Sequence, residues 1–231
     1  MTDKKHNFLY LIWKDPRSRR NFIIGKLTRE NEYVFEYCKE YQLAQEAGWQ
    51  LLEAFPNEKE VYRNKDLFVA FSSRLPDPKR REIEKILEKY GLKEYDGYEL
   101  LKRSTGRLPI DTYEFIDPIF PEDETVLREF YIVGIRHHSA CGGLNCKELP
   151  NVCLNDELFL ILEPDNPFDQ FAVKVETQQH NMLGYIPRYY SESVFVRLKK
   201  GTTYSCKVIE IQEDQNCENC IKVSLRIPKE Q

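Results

Sequence analysis

The chain lacks any run of about 18 apolar residues, so no membrane-spanning helix is expected. Its first residues, Met1 to Asn7, carry no apolar core, and a secretory leader is not expected either. There is no internal repeat and no low-complexity tract. Cysteine is present seven times, an odd count, and with no secretion signal the thiols are read as reduced in a cytoplasmic protein. Basic surplus is also lacking. The net charge is −4, with 22 basic and 21 acidic side chains through residue 120 but only 12 against 17 beyond it. Broad adsorption on a polyanion needs clustered Lys and Arg, so the second half is expected not to coat nucleic acid indiscriminately. A compact site with one or two cations remains compatible with that balance.

What is present is a core. Of 231 residues, 41% are hydrophobic and 13% aromatic, enough for one or two packed domains. The most informative stretch is Ile161–Val175. An apolar run enters it, an alternating run leaves it, and Glu-Pro-Asp-Asn-Pro-Phe-Asp at 163–169 lies between. Pro164 and Pro167 fix φ and restrict the residues before them. Asn166 and Asp169 can bond back to nearby backbone. Such a turn holds side chains in set directions, as a binding site requires. An architectural reading covers the same residues: the prolines and Asn166 shape the turn, Phe168 plugs the interior and Asp169 caps amides.

Around this stretch the pattern predicts two domains, split near an acidic, proline-containing linker at 121–125. In residues 1–120, Phe8–Trp13 and Phe22–Leu27 read as a β-hairpin with a long basic tip, and Tyr33–Tyr37 continues the sheet. Periodicity leaves Tyr41–Leu52 open between a short helix and a loop. Residues 76–91 read as a helix with Asp77 as N-cap, Pro78 in the first turn and Gly91 just past its end. Asp96–Lys102 reads as a second, shorter helix. In residues 121–231, strands are expected at 128–134, 158–162, 172–175, 183–187, 203–212 and 221–227, with a helix over 189–200. That tally suits a small β-barrel or sandwich. The predicted architecture is an α+β domain over 1–120 and a mainly-β, OB-like barrel over 121–231.

Three blocks in the second half carry a resemblance. Val-Gly-Ile-Arg-His-His at 133–138, Glu-Pro-Asp-Asn-Pro-Phe-Asp-x-x-Ala-Val-x-Val at 163–175 and Leu-Gly-Tyr-Ile-Pro-Arg at 183–188 resemble, in order and spacing, the HIRAN domain. The resemblance spans roughly 126–227. It implies a modified oligonucleotide-binding barrel and binding of the 3′-hydroxyl end of single-stranded DNA. It implies that Arg136 meets the phosphate backbone and that His137 and His138 stand where aromatic tyrosines stack on bases. It further implies that Asn166, Phe168 and Asp169 frame the terminal nucleotide, with Asp169 accepting from the 3′-hydroxyl. Tyr185 and Arg188 would complete the site at phosphate or sugar. The chemistry is sound, because stacking tolerates any sequence and a carboxylate favours a hydroxyl over a phosphate.

The first half resembles the N-terminal subdomain of HipA-type toxin kinases, through Ile24–Thr28, Tyr33–Tyr37, Leu67–Asp77, Tyr98–Leu101 and Thr105–Arg107. No kinase lobe follows: the glycine-rich loop, the His-x-Asp loop and Asp-Phe-Gly are all missing. That resemblance implies a non-catalytic, partner-binding part. The alternative function is therefore a protein-interaction adaptor acting on a HipA-like kinase or another partner through residues 1–120. An enzyme is not expected.

Two further patterns were weighed. Cys217 and Cys220 form a Cys-x-x-Cys pair that supplies half of a structural zinc site, which needs four ligands; Cys141, Cys146, Cys153, His137 and His138 are the remaining candidates. No other cofactor is expected. Arg17, Arg19 and Arg20 form one basic group, and Arg74, Lys79, Arg80 and Arg81 another. They read either as solvated surface or as a path for phosphates.

Overall fold

The computed structural model describes residues 7–38, 40–120, 125–138, 151–212 and 219–229. The chain divides into two compact units, Met1–Pro118 and Ile119–Gln231. Sheets dominate both, with five short α-helices in all among the described residues.

In the first unit, alternating apolar residues build β1 (Phe8–Lys14), β2 (Asn21–Arg29) and β3 (Tyr33–Tyr37). With β4 (Tyr62–Asn64) and β5 (Tyr113–Ile116) they form one antiparallel sheet in the order β4-β3-β2-β1-β5. Four short helices accompany it: α1 (Tyr41–Glu46), α2 (Val69–Ser72), α3 (Ile83–Lys89) and α4 (Gly97–Ser104). The core is aromatic. Phe35 packs on Phe55 at 4.4 Å and on Phe71 at 5.2 Å, and Phe71 meets Phe115 edge-on at 5.0 Å. Each such pair adds about 0.5–1.5 kcal/mol beyond the area it buries. The polar ends are satisfied: Trp49 Nε1 donates to the Tyr113 hydroxyl at 2.8 Å, and the Tyr37 hydroxyl donates to the Phe55 carbonyl at 2.7 Å.

The helix expected over 76–91 is shorter, and begins only at Ile83. Asp77 accepts the Lys79 N–H with its side chain, and the Arg80 and Ile83 amides close two successive tight turns. Lys79, Arg80 and Arg81 would otherwise place cations against the positive end of the helix. Gly91 does take a left-handed φ of +63° just past α3. Asp96 caps α4, accepting from the Tyr98 and Glu99 amides. The basic group around Arg74 is divided. Arg74 is half-buried and makes two bonds to the Asp111 carboxylate, at 2.7 and 2.8 Å, which commits its guanidinium inside the fold. The other basic group rides on a braced tip, where buried Asp15 accepts from the Arg17 and Ser18 amides and from the Ser18 hydroxyl.

The second unit contains two three-stranded antiparallel sheets. One is ordered β10-β11-β6, from β6 (Val126–Tyr131), β10 (Ser205–Ile211) and β11 (Ile221–Ile227). The other is ordered β7-β8-β9, from β7 (Phe159–Glu163), β8 (Ala172–Glu176) and β9 (Met182–Tyr185). Helix α5 (Arg188–Lys199) packs on β7 and β8, with Val194 and Phe195 buried. The expected OB-like barrel is therefore corrected to two sheets. No closed barrel forms among the described residues; the sheets are joined at the bridges Val133 with Tyr185 and Glu157 with Lys207 and by backbone bonds from residues 155–158 to Cys206 and Val208.

The first of these seams explains the glycine of Leu-Gly-Tyr. A Cβ on Gly184 would lie 2.4 Å from the Val133 carbonyl oxygen and 2.9 Å from Ile132, so only hydrogen fits where the two sheets touch. Gly184→Ala is expected to part the seam and lower stability by about 1–3 kcal/mol, as overpacking does. Thermal unfolding checks this, and an unchanged midpoint would show that the seam is not close-packed.

Candidate functional site

The site starts from the turn between β7 and β8. Asn166 organises it. Its Oδ1 accepts the Phe168 and Asp169 amides at 2.9 and 3.2 Å, an Asx-type turn. Its Nδ2 donates to Glu163 Oε2 at 2.7 Å and to the Tyr185 hydroxyl at 3.3 Å. A primary amide offers two donors and one oxygen with two lone pairs, so Asn166 spends all four. Asn166 therefore acts as an internal brace.

Glu163 is the other half of the brace. It accepts from Asn166 and, at 2.9 Å, from the Tyr185 hydroxyl. The Asn166 bond, supported by Tyr185, Lys174 and His138, holds its carboxyl below the usual glutamate range despite partial burial. Burial and the Glu163 charge in turn push the Tyr185 phenol upward. In the sequence Glu163 stands only as part of the turn, without a role of its own. Its signal was available: an acidic residue three positions before an asparagine that must be oriented.

Held by this brace, Phe168 projects almost wholly into solvent, 91% exposed. That excludes the architectural reading in which it plugs the interior. Asp169 behaves as that reading expects. Its Oδ1 accepts the Phe171 amide at 2.9 Å, and its Oδ2 accepts the hydroxyl of buried Ser191 at 2.8 Å. Each carboxylate oxygen has a second lone pair, so Asp169 retains capacity to accept once more. Ser191, which the sequence reading missed, ties the turn to α5 one helical turn after Arg188.

The Arg136–His138 block follows Gly134, whose left-handed φ of +81° turns the chain from β6 into a 3-10 turn over Ile135–His137. Ile135 is buried and anchors it, while Arg136, His137 and His138 are exposed. Arg136 Nε donates to His137 Nε2 at 3.1 Å. The His138 ring stands edge-on to Tyr185 at 5.7 Å. Partial burial and neighbouring His137 lower its pKa, which favours the neutral ring at neutral pH. Arg188 opens α5, exposed, behind an N-cap Pro187 that supplies no side-chain bond to the first turn.

The eight candidates thus lie along one chain of contacts. It runs from Arg136 and His137 through His138 to Tyr185, on to Glu163, Asn166, Phe168 and Asp169, and through Ser191 to Arg188. Arg136, His137, His138, Phe168 and Arg188 face solvent; Asn166, Asp169 and Tyr185 are half-buried supports.

The zinc expectation gains no site. Cys217 lies outside the described residues, as do Cys141 and Cys146. Cys220 is buried in the core at the start of β11. Among the described residues no three His, Cys, Asp or Glu side chains are grouped to hold a metal ion. Burial pushes the Cys206 thiol up to about 12, as expected of an inert core cysteine.

Residues 126–228 match the family model of the HIRAN domain, and residues 20–109 match that of the HipA N-terminal domain. Both halves therefore match the families that their motifs resemble. Among solved structures, that of a protein from Lactobacillus plantarum is 21% identical, covering 46% of this chain and 97% of its own length, with a TM-score of 0.37. The HIRAN domain of human HLTF is 18% identical, covering 46% of this chain and 78% of its own, with a TM-score of 0.32. No curated protein matches. No described helix is long and apolar enough to cross a membrane.

The Glu163 brace generates a pH dependence. A carboxyl held below its ordinary value of 4.5 contributes stability above that pH and loses it as pH falls through the lowered value. Glu163→Gln keeps the shape and removes the charge. Its urea stability is expected to fall at neutral pH and to change less between neutral and acid pH than the native chain's. Parallel pH profiles for the two proteins would contradict the assignment.

Proposed function

We propose that residues 126–228 bind single-stranded DNA at a 3′-hydroxyl end and that the chain performs no chemistry on it. The observation that carries the reading is Phe168, an aromatic ring 91% exposed on a turn whose backbone is locked by a fully bonded asparagine. A single exposed phenylalanine is ordinary on a protein surface; what distinguishes this one is its locked turn, since a pre-oriented ring is a platform on which a base stacks. The match to the HIRAN domain supports the same reading.

The mechanism follows from what each group has left to offer. Phe168 stacks on the terminal base. Asp169, already accepting from Phe171 and Ser191, accepts once more from the 3′-hydroxyl. A terminal phosphate would bring negative charge against the same carboxylate, so a phosphorylated end is disfavoured. Arg136 and Arg188 meet the backbone phosphates, aided at Arg188 by the uncapped first turn of α5. The neutral His138 ring, steadied on Tyr185, offers a second stacking face beside His137. Few cations take part, so affinity depends only modestly on salt.

A second reading rests on the HipA N-terminal match over 20–109, namely that this unit engages a protein partner as a non-catalytic adaptor.

Anisotropy with short labelled strands separates these readings. A 3′-hydroxyl strand is expected to bind more tightly than its 3′-phosphorylated twin, and Asp169→Ala to abolish that difference. Phe168→Ala is expected to lose about tenfold in affinity while stability stays within about 0.5 kcal/mol, since the ring is exposed. Equal affinity for both ends would overturn end recognition. Binding to neither would leave the adaptor reading standing.

A further inference from the structure

The outer face of the β7-β8-β9 sheet continues from the site into an aromatic surface. Alternation along β7 turns Leu160 inward and Phe159 and Ile161 outward, at 42% and 38% exposure. Cross-strand register then sets the rows. Ile161, Lys174 and Tyr185 lie side by side across the three strands, and Phe159, Glu176 and Met182 form the next row. Strands are about 4.8 Å apart and same-face neighbours along a strand about 6.8 Å. The Tyr185 of the site and the Phe159 ring therefore belong to one continuous face, with the Lys174 ammonium between them.

Phe159 does not stand alone. The His180 ring stacks on it at 6.0 Å with an interplanar angle of 15°. His180 is held there by its backbone. It takes a left-handed φ of +62° in the β8–β9 turn, its N–H bonds the Thr177 carbonyl at 3.0 Å, and the Thr177 hydroxyl accepts the Asn181 amide at 3.2 Å. Its Nδ1 lies 3.5 Å from Glu176, whose other oxygen takes Lys174 at 2.8 Å. The ionisable groups facing this platform are thus Glu163, Glu176, Lys174 and His180, two carboxylates, one ammonium and one imidazole. The surface is aromatic and only weakly charged.

We infer that this face is a second base-stacking subsite, the Phe159–His180 platform, which receives nucleotides of the same single strand upstream of the end. The inference rests on the proposed end-binding at Phe168 and Asp169. Two features select this occupant. The face is continuous in register with Tyr185, and it offers stacking surface with one central cation and little net charge. Base stacking needs π surface more than charge and tolerates any sequence. A nucleic-acid strand leaving the Phe168 site toward Tyr185 meets Lys174 first and the aromatic pair next.

Strand length tests this separately from end binding. Anisotropy is measured with a 3′-hydroxyl dinucleotide and a 3′-hydroxyl octanucleotide on the full chain. The native protein is expected to gain affinity with length. Phe159→Ala is expected to remove about tenfold of that gain and to leave dinucleotide binding unchanged; His180→Ala gives the same pattern with a smaller loss. Phe159→Trp, which keeps a ring, is expected to keep the gain, which separates stacking from a folding defect. Octanucleotide affinity unchanged in both alanine variants would overturn the inference, as would equal losses for both strand lengths. If Phe159→Ala instead abolishes self-association in sedimentation while strand binding is unaffected, the face is a protein contact and the inference fails. Failure of the native chain to bind even the dinucleotide would overturn the end-binding reading itself.

Discussion

The second unit depends on one side chain using all its hydrogen-bonding capacity. Asn166 fixes the backbone of the β7–β8 turn with its oxygen and the rim of the sheet with its nitrogen. Each bond alone is worth about 1 kcal/mol net. Together they decide where Phe168 and Asp169 point. Glu163 makes the arrangement possible by accepting from both Asn166 and Tyr185. Through Tyr185 the brace reaches His138 and the seam at Val133, where the two sheets touch. Orientation of the site and cohesion of the unit are therefore one problem with one solution.

The acidic balance of the second half fits this design. A protein that coats a polyanion needs many outward cations. This site instead spends acidic groups on position: Glu163 on a tyrosine and an amide, Asp169 on a serine and a backbone N–H, Glu176 on Lys174. Their charge is largely committed before any ligand arrives. What is left for recognition is aromatic surface, two exposed arginines and the residual acceptor capacity of Asp169. On the proposed reading, such a site discriminates by shape and end chemistry more than by net attraction. In the first unit, Arg74 follows the same rule, since its guanidinium is consumed by Asp111 inside the fold.

Much of this was legible in the sequence. Period-two alternation marked nearly every long strand, and proline, asparagine and glycine marked the turn and a helix end. The three spaced blocks at 133–138, 163–175 and 183–188 named candidate residues that the fold brings along one chain of contacts. Two kinds of feature were not legible. One concerns competition between local structures: residues 77–82 have the composition of a helix start, yet the Asp77 side chain forms a turn instead. The other concerns what a polar side chain does once neighbours are in place. Asn166 was legible as a residue framing the site; that its side chain also braces the turn was not. Glu163 and Ser191 carried no role in the sequence and prove to hold Asn166 and Asp169 respectively. The Phe159–His180 platform was invisible because it depends on cross-strand register and on the backbone of the turn that carries His180.

Amide chemical-shift mapping of the isotope-labelled chain with a 3′-hydroxyl dinucleotide tests the central claim most directly. The account predicts that the largest shifts fall on Ile135–His138, on Phe168 and Asp169, and on Arg188–Ser191. Shifts confined to residues 7–118, or none at saturating dinucleotide, would contradict it.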